Sequence, residues 1–259
     1  MAGNKSDGPV KSVHHLFQIV DILHKQDGAG VSQIADQVPL SRGSVYKHLK
    51  TMQRNGYVIK KENGQYRLSF KFFMRGGYVR DNNVLCRRAR PHTVDLGEKT
   101  GEPAHFIVKD GDYGYLAYSV NDKYGIREDV DLGTQFQLHQ WAAGKAVLSL
   151  LSDETIKSIY DTSSLEGKTE NTITDIDELL ETIETVRDQG YALNHQEYQD
   201  GVIGVGAAVQ HPDTGSLGAF SISVAGPAAQ AGKSMEEEHI DAVVETANQF
   251  ELQLRFQEG

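Results

Sequence analysis

Residues Val31–Leu68, VSQIADQVPLSRGSVYKHLKTMQRNGYVIKKENGQYRL, hold a short helix, a turn, a second helix and a β-hairpin. The start of the second helix is well marked. Ser41 is placed to accept from orphan amides as N-cap, and Leu40 and Val45 stand at the two staple positions around it. Val45, Leu49 and Met52 recur at i, i+4 and i+7, so they form one apolar stripe that must face neighbouring helices. Gly43, Ser44, Lys47, Lys50, Thr51 and Arg54 fall on the other side, which is small and basic at its N-terminal end and suits insertion into a DNA major groove. Asn63-Gly64 between two β-prone runs predicts a two-residue type I′ hairpin turn. Counting outward from that turn pairs Glu62 with Gln65, Lys61 with Tyr66, Lys60 with Arg67 and Ile59 with Leu68. Lys60 and Arg67 would then lie opposite each other on one face, a repulsion that becomes favourable with a phosphate between them. Helix, hairpin and charge together predict a winged helix-turn-helix. The expected DNA contacts are Ser41, Arg42, Gly43, Ser44, Lys47, His48, Lys50, Lys60, Lys61 and Arg67.

The net charge of −10 over 259 residues seems wrong for a DNA binder until it is divided along the chain. Residues 1–75 carry 12 Lys+Arg against 5 Asp+Glu, whereas the rest carries 14 against 31. Such segregation is what a DNA-binding domain joined to a domain that avoids DNA produces; an acidic excess is also what a high-salt cytoplasm favours. The single cysteine, Cys86, leaves no intramolecular disulfide and no zinc site built on two thiolates. No apolar run reaches the length of a membrane span, and the first residues lack an apolar signal core, so a cytoplasmic location is expected.

Before this stretch, Val13, Leu16, Phe17, Val20 and Leu23 repeat at helical spacing and predict a core-facing first helix ended by Asp27–Gly30; Ser32–Val38 is the short helix that follows. After the hairpin, SFKFFMRGGYVRDN reads as a helical connector with a hinge at Gly76-Gly77, since each glycine weakens a helix by about 1 kcal/mol against alanine. Helical periodicity resumes from Val84 to Thr100, with Pro91 beginning or kinking a helix and Gly101 as its stop. From Pro103 the texture changes to short strands (HFIVKD, GYLAYSV, FQLH), then helices at Ala142–Leu151, from Ser152-Asp153 and over Asp175–Gln189. Strands return at VIGVGAAVQ and SLGAFSISVAG around a His211–Gly215 turn, and Met235–Phe256 is a last helix. This order predicts an α+β sheet layered with helices. The expected division is 1–75 for DNA binding, 76–100 as helical linker and 101–259 for effector binding and oligomerisation.

The winged helix-turn-helix followed by LHQWAAGKAVLSLLS, YALNHQEYQDGVIGVGAAV and SLGAFSISVAGP resembles the IclR family of transcriptional regulators over about residues 10–256. The resemblance implies a GAF-like α/β effector-binding domain, a dimer or tetramer, and a small carboxylate or aromatic acid as signal. It also implies that the turn at Trp141, Ala142 and Ala143 lines the pocket. Members often carry two serines before the closing Gly-Pro; here those places hold Ser223 and Ala225. Asn194 stands where some members have Asp, and Gly204 where Cys is common. The alanine at 225 removes one donor, which implies a ligand larger or less polar than the smallest 2-oxo acids.

The residues themselves add chemistry. AAGKA is not a phosphate loop, because His139 stands where its first glycine is required and Ala146 where Ser or Thr is. Its helix start instead offers free N–H groups to an anion, or small residues for close packing on a sheet. Ser221, Ser223 and Ala225 alternate onto one strand face, and Glu197 and Asp200 would shape the pocket or cap strands. The expected ligand-binding set is Trp141, Ala142, Ala143, Asn194, Glu197, Asp200, Gly204, Ser221, Ser223 and Ala225. Neither a nucleophile with its base nor a metal cluster is evident: His139, His195 and His211 sit singly on different elements, and no cofactor is expected. A hydrolase-like enzyme fused to a DNA-binding domain is therefore the weaker reading. A thiol-based redox regulator is another alternative, since Arg87, Arg88 and Arg90 near Cys86 would lower its pKa if it were exposed. The expected partners are operator DNA, a small organic acid and a second copy of the chain, with no membrane. Two mutually facing half-sites about one helical turn apart would be read together.

Overall fold

The computed structural model describes residues 10–120, 131–161, 164–210, 219–228 and 233–256, with the side chains of 233–238 excepted. The expected His211–Gly215 turn lies outside the described residues. The chain divides into two compact units, 1–79 and 80–259.

The first unit contains α1 (Lys11–Lys25), α2 (Val31–Ala35), α3 (Arg42–Arg54), β1 (Val58–Lys60), β2 (Tyr66–Leu68) and most of α4 (Phe70–Asn82). Its core joins Ile19 and Leu23 of α1, Ile34 of α2, Val45, Leu49 and Met52 of α3, and Val58 and Tyr66 of the hairpin. The apolar stripe of α3 therefore packs as its spacing requires. On α1 the inward residues are Ile19 and Leu23, and the expectation for Val13 and Phe17 is corrected: both are exposed. Phe17 sits roughly 160° round the helix from Ile19, so the two cannot share a face.

The hairpin register differs from expectation by one residue. Observed partners are Val58 with Leu68, Ile59 with Arg67 and Lys60 with Tyr66. Gly64 N–H donates to Lys61 O at 3.0 Å and Lys61 N–H to Gln65 O at 2.7 Å. Gly64 has φ +84°, whereas Asn63 is not among the residues of positive φ. This is the three-residue loop in which a type I turn is followed by a left-handed glycine, not a type I′ turn. The extra residue brings Val58 and Tyr66 onto the core side, and it separates Lys60 from Arg67.

A further correction concerns Gly76-Gly77. They lie inside the continuous helix α4, which ends at Asn82. The break comes at Asn83, whose side chain accepts from Leu85 N–H at 2.9 Å and Cys86 N–H at 3.1 Å and so starts α5 (Val84–Thr100). Pro91 lies within α5 without ending it, and Gly101 closes the helix with φ +74°.

The second unit is built on a six-stranded antiparallel sheet of order β5-β4-β3-β8-β7-β6. The strands are β3 (Ala104–Asp110), β4 (Tyr113–Val120), β5 (Gln135–Gln137), β6 (Ala192–His195), β7 (Val202–Val209) and β8 (Phe220–Pro227). Between β5 and β6 come α6 (Ala142–Ser149), α7 (Asp153–Asp161) and α8 (Ile176–Gln189); α9 (Lys233–Phe256) follows β8. One sheet face presents Phe106, Val205, Ala207, Phe220, Ile222 and Val224 to α5 and α9. The other carries α6, which packs chiefly on β7 and β8 and is backed by α8. β6 was not expected from the sequence; four residues that include Asn and His show no apolar alternation, and pairing with β7 makes them a strand.

Candidate DNA-reading surface and effector cavity

In the first unit, Ser41 Oγ accepts from Ser44 N–H at 3.2 Å and lies 3.0 Å from Ser44 Oγ, which fixes the start of α3. Arg42, Gly43 and Lys47 are exposed from its first two turns. Lys50 Nζ donates to Gln53 Oε1 at 3.2 Å and lies 5.8 Å from the centre of the Tyr46 ring. Tyr46, 46 % exposed, belongs to this surface and was not foreseen, because an aromatic residue beside Val45 reads as core. His48 is half-buried on the α1 side; burial lowers its pKa first, and the neighbouring charge of His15 lowers it further. On the hairpin Lys60 is exposed, whereas Lys61 Nζ donates to Asp27 O at 3.2 Å and Arg67 Nη1 to Leu68 O at 3.1 Å.

In the second unit, a cavity opens where the start of α6 meets β7, β8 and the turn after β6. His105, Trp141, Ala142, Ala143, Asn194, Tyr198, Gln199, Val202, Ile203, Gly204, Ser223, Val224 and Ala225 line it. Trp141 stacks on Phe136, ring centres 4.3 Å apart, and takes Tyr198 edge-on at 5.0 Å. Its indole Nε1–H is buried and has no hydrogen-bond partner among the described residues. Trp141 is also the N-cap of α6 and gives no side-chain cap, so the first amides of that helix lack both a helical partner and a cap. The two readings of the Ala-Ala-Gly segment turn out to be compatible. A Cβ on Gly206 would meet Ala143 N at 2.7 Å, and one on Gly144 would meet Leu138 O at 2.0 Å, so small residues seat the helix on the sheet while Ala142 and Ala143 face the cavity.

Asn194, Gly204 and Ala225 stand side by side on three neighbouring strands. Asn194 Nδ2 donates to Gln140 O at 2.7 Å, which ties β6 to the turn before α6. Lys145 and Glu197, both buried, form an ion pair in which Nζ lies 2.6 Å from each carboxylate oxygen. Burial lowers the Lys145 ammonium below its ordinary pKa, and the charge and hydrogen bonds of Glu197 oppose that fall. The Glu197 backbone is held as well: its N–H donates to Asn194 Oδ1 at 3.3 Å, and its carbonyl accepts from the Thr172 hydroxyl at 2.5 Å. Glu197 thus fixes the turn that carries Tyr198 and Gln199 and does not itself line the cavity.

Asp200 is exposed and Ser221 wholly buried, and neither is among the lining residues. Ser221 shares the face of Ser223 but lies two residues earlier on β8, between Ile107 and Ala208. His105, Tyr198, Gln199, Val202 and Ile203 are lining residues that the sequence did not single out. β3 and β7 are covered on both faces, so inward alternation did not mark them. His139 is buried, its Nε2 is 3.2 Å from Glu166 O, and burial pushes its pKa down to about 4; His195 is exposed on β6. The condition on which an activated Cys86 depends, exposure, is not met. Cys86 is 3 % exposed, and burial pushes its thiol up to about 11 against the smaller opposing effect of Arg80.

The family models agree with this architecture. "IclR helix-turn-helix domain" matches residues 12–61 and "Bacterial transcriptional regulator IclR C-terminal" matches residues 77–252. The HTH-type transcriptional regulator KdgR of Escherichia coli is 29 % identical over 200 residues, 77 % of this chain and 76 % of its own length. The crystal structure of Thermotoga maritima IclR superposes with a TM-score of 0.76 at 27 % identity, covering 94 % of this chain and 98 % of that one. An IclR homologue of Microbacterium hydrocarbonoxydans, solved in complex with 4-hydroxybenzoate, has the same fold, with a TM-score of 0.77 at 13 % identity over 94 % of this chain and 99 % of its own. With a helix-turn-helix at one end and the matching regulatory domain over two thirds of its length, the chain belongs to the IclR family of transcriptional regulators.

Proposed function

We propose that the protein binds an operator as a homo-oligomer and that a small carboxylate in the α6 cavity modulates that binding. The observation that carries the DNA half is α3, capped by Ser41, packed through Val45, Leu49 and Met52, and exposing Arg42, Gly43 and Lys47 from a net-positive unit. In this reading Arg42, Gly43, Ser44 and Lys47 meet base edges, while Ser41, Lys50, Lys60 and Arg67, whose guanidinium keeps further N–H donors beside the one given to Leu68 O, meet phosphates. His48 and Lys61 drop out, since one sits half-buried near His15 and the other is bound to the α1 turn. For the effector half, the unpartnered Trp141 indole N–H, the Ser223 hydroxyl and the first amides of α6 are donors suited to a carboxylate. Oligomerisation is supported by the exposed apolar side chains Phe70, Phe73, Met74, Tyr78 and Val79 carried by one helix, α4, a run that a partner would cover. The effector would act by changing the spacing of paired DNA-binding units, which a two-half-site operator reads. The protein works as a regulator in the cytoplasm and not as an enzyme.

Base reading and phosphate holding give different mutant signatures. Arg42→Ala or Lys47→Ala is expected to cost about 1–3 kcal/mol on the operator and to relax sequence preference. Lys60→Ala is expected to weaken operator and random DNA alike and to reduce the slope of log K against log salt by about 0.9. Fluorescence anisotropy over a salt series with both DNAs separates the two classes. A wild-type protein without preference for any genomic fragment over random DNA would sink the operator reading.

A further inference from the structure

We infer that the exposed ring of Tyr46 reads a thymine methyl group in the operator, and that Gly43 leaves the gap through which a base edge reaches it. The inference rests on the reading of α3 as the helix that lies in the major groove. Val45, Leu49 and Met52 are buried on the inner side of α3. Tyr46 is 46 % exposed, and with Lys47, Lys50, Thr51, Gln53 and Arg54 it lines an open depression on the outer side. The cations of that face suit the phosphates that border a groove, and the ring set among them suits an apolar group lying between the two strands. At the major-groove edge the C5 methyl of thymine is the one apolar group that the bases present.

The neighbouring turns fix where the ring lies. Helical side chains lean toward the N-terminus, so Tyr46 covers the turn that holds Gly43, three residues earlier, and Lys50 covers the turn that holds Tyr46. Lys50 Nζ accordingly lies 5.8 Å from the centre of the Tyr46 ring, and its hydrogen bond to Gln53 Oε1 at 3.2 Å keeps it there. The ring is thus backed on its C-terminal side and open toward Gly43. Among the described residues nothing requires a glycine at 43: its φ is not positive, and a Cβ there would have Ser41 Oγ as its nearest neighbour, at an ordinary 3.9 Å. Alanine is the better helix former. Glycine at this exposed place offers instead bare backbone that a partner can approach closely, and a base edge resting on it meets the Tyr46 ring beside it.

Selection by the full chain from a randomised duplex pool yields the sites it prefers, and fluorescence anisotropy on the best duplex, with each thymine in turn replaced by deoxyuridine, tests the inference. Deoxyuridine lacks only the methyl. One thymine per half-site is expected to lose about fourfold in affinity on that replacement, the worth of one buried methyl-sized group. Tyr46→Ala is expected to bind both forms equally, and Tyr46→Phe to keep the penalty. Gly43→Ala is expected to melt no lower than wild type and to bind the selected duplex at least fivefold more weakly. A penalty below twofold at every thymine in the wild type overturns the methyl reading, whether or not any variant folds. A penalty that persists in Tyr46→Ala gives the methyl to another residue, and one lost in Tyr46→Phe as well gives the role to the hydroxyl; either result overturns the inference. A loss smaller than fivefold in Gly43→Ala overturns the role of Gly43. Selection that enriches no sequence brings down the operator reading itself, and this inference with it.

Discussion

Lys145→Ala and Glu197→Ala are each expected to destabilise the second unit by about 3–5 kcal/mol, because either change leaves its former partner as an uncompensated buried charge. The two side chains sit at 3 % and 7 % exposure, so water cannot take over the lost contact. The double variant Lys145→Met/Glu197→Leu removes both charges and keeps much of the volume. It is expected to recover most of the loss, since replacing a whole buried pair with apolar residues is often near neutral. Effector binding should not recover with it, because the Glu197 carboxylate also accepts from His195 N–H at 3.2 Å and holds the turn bearing Tyr198 and Gln199. Urea denaturation followed by circular dichroism gives the stabilities. Single variants within 1 kcal/mol of wild type would show that the pair is not the tie described.

Gly144→Ala is the second change with a large expected effect, and helix propensity alone predicts its sign wrongly. Alanine in a helix interior is better than glycine by about 1 kcal/mol, yet the new Cβ would stand 2.0 Å from Leu138 O and 2.7 Å from Leu138 C. Those are backbone atoms of the short 3₁₀ turn Leu138–Gln140, and they cannot rotate away as a side chain would. The expected loss is about 3 kcal/mol or more, at or above the upper end of ordinary overpacking. Gly76→Ala and Gly77→Ala are the control. Among the described residues nothing lies within 4 Å of a Cβ at either site in α4, so each should gain about 1 kcal/mol of helix stability. Thermal denaturation of the three variants tests the contrast; a stabilised Gly144→Ala would refute the close seating of α6.

Much of the DNA-binding unit was legible because its signals are local. The Ser41 cap and the Val45–Leu49–Met52 stripe each act within a few residues, and each has the structural consequence its chemistry requires. The hairpin shows the limit of that locality. Asn63-Gly64 marks a turn, but both type I′ and type I with a following left-handed glycine accept it. The choice fell to the core, which takes Val58 and Tyr66. Likewise two glycines in sequence suggest a hinge, whereas the local cap at Asn83 is where the helix changes.

The cavity was legible only in part. The segment Trp141–Ala143 and the residues Asn194, Gly204, Ser223 and Ala225 do come together, from a helix start and three adjacent strands. Glu197 and Ser221 are drawn away from it, one by the buried ammonium of Lys145 and the other by its depth along β8. His105 reaches it because β3 pairs with β8, more than a hundred residues later in the chain.

By itself the sequence determined which segments form helices around the DNA-reading surface, where the positive charge lies, and that the second part is a layered sheet. Those properties follow from periodicity, capping and composition, which operate over one or two turns. Only the tertiary structure decided the hairpin register, the pairing of Lys145 with Glu197, and which side chains meet in the cavity. Each of these depends on contacts between residues far apart in sequence, whose energies exist only once the sheet order β5-β4-β3-β8-β7-β6 and the core of each unit have formed.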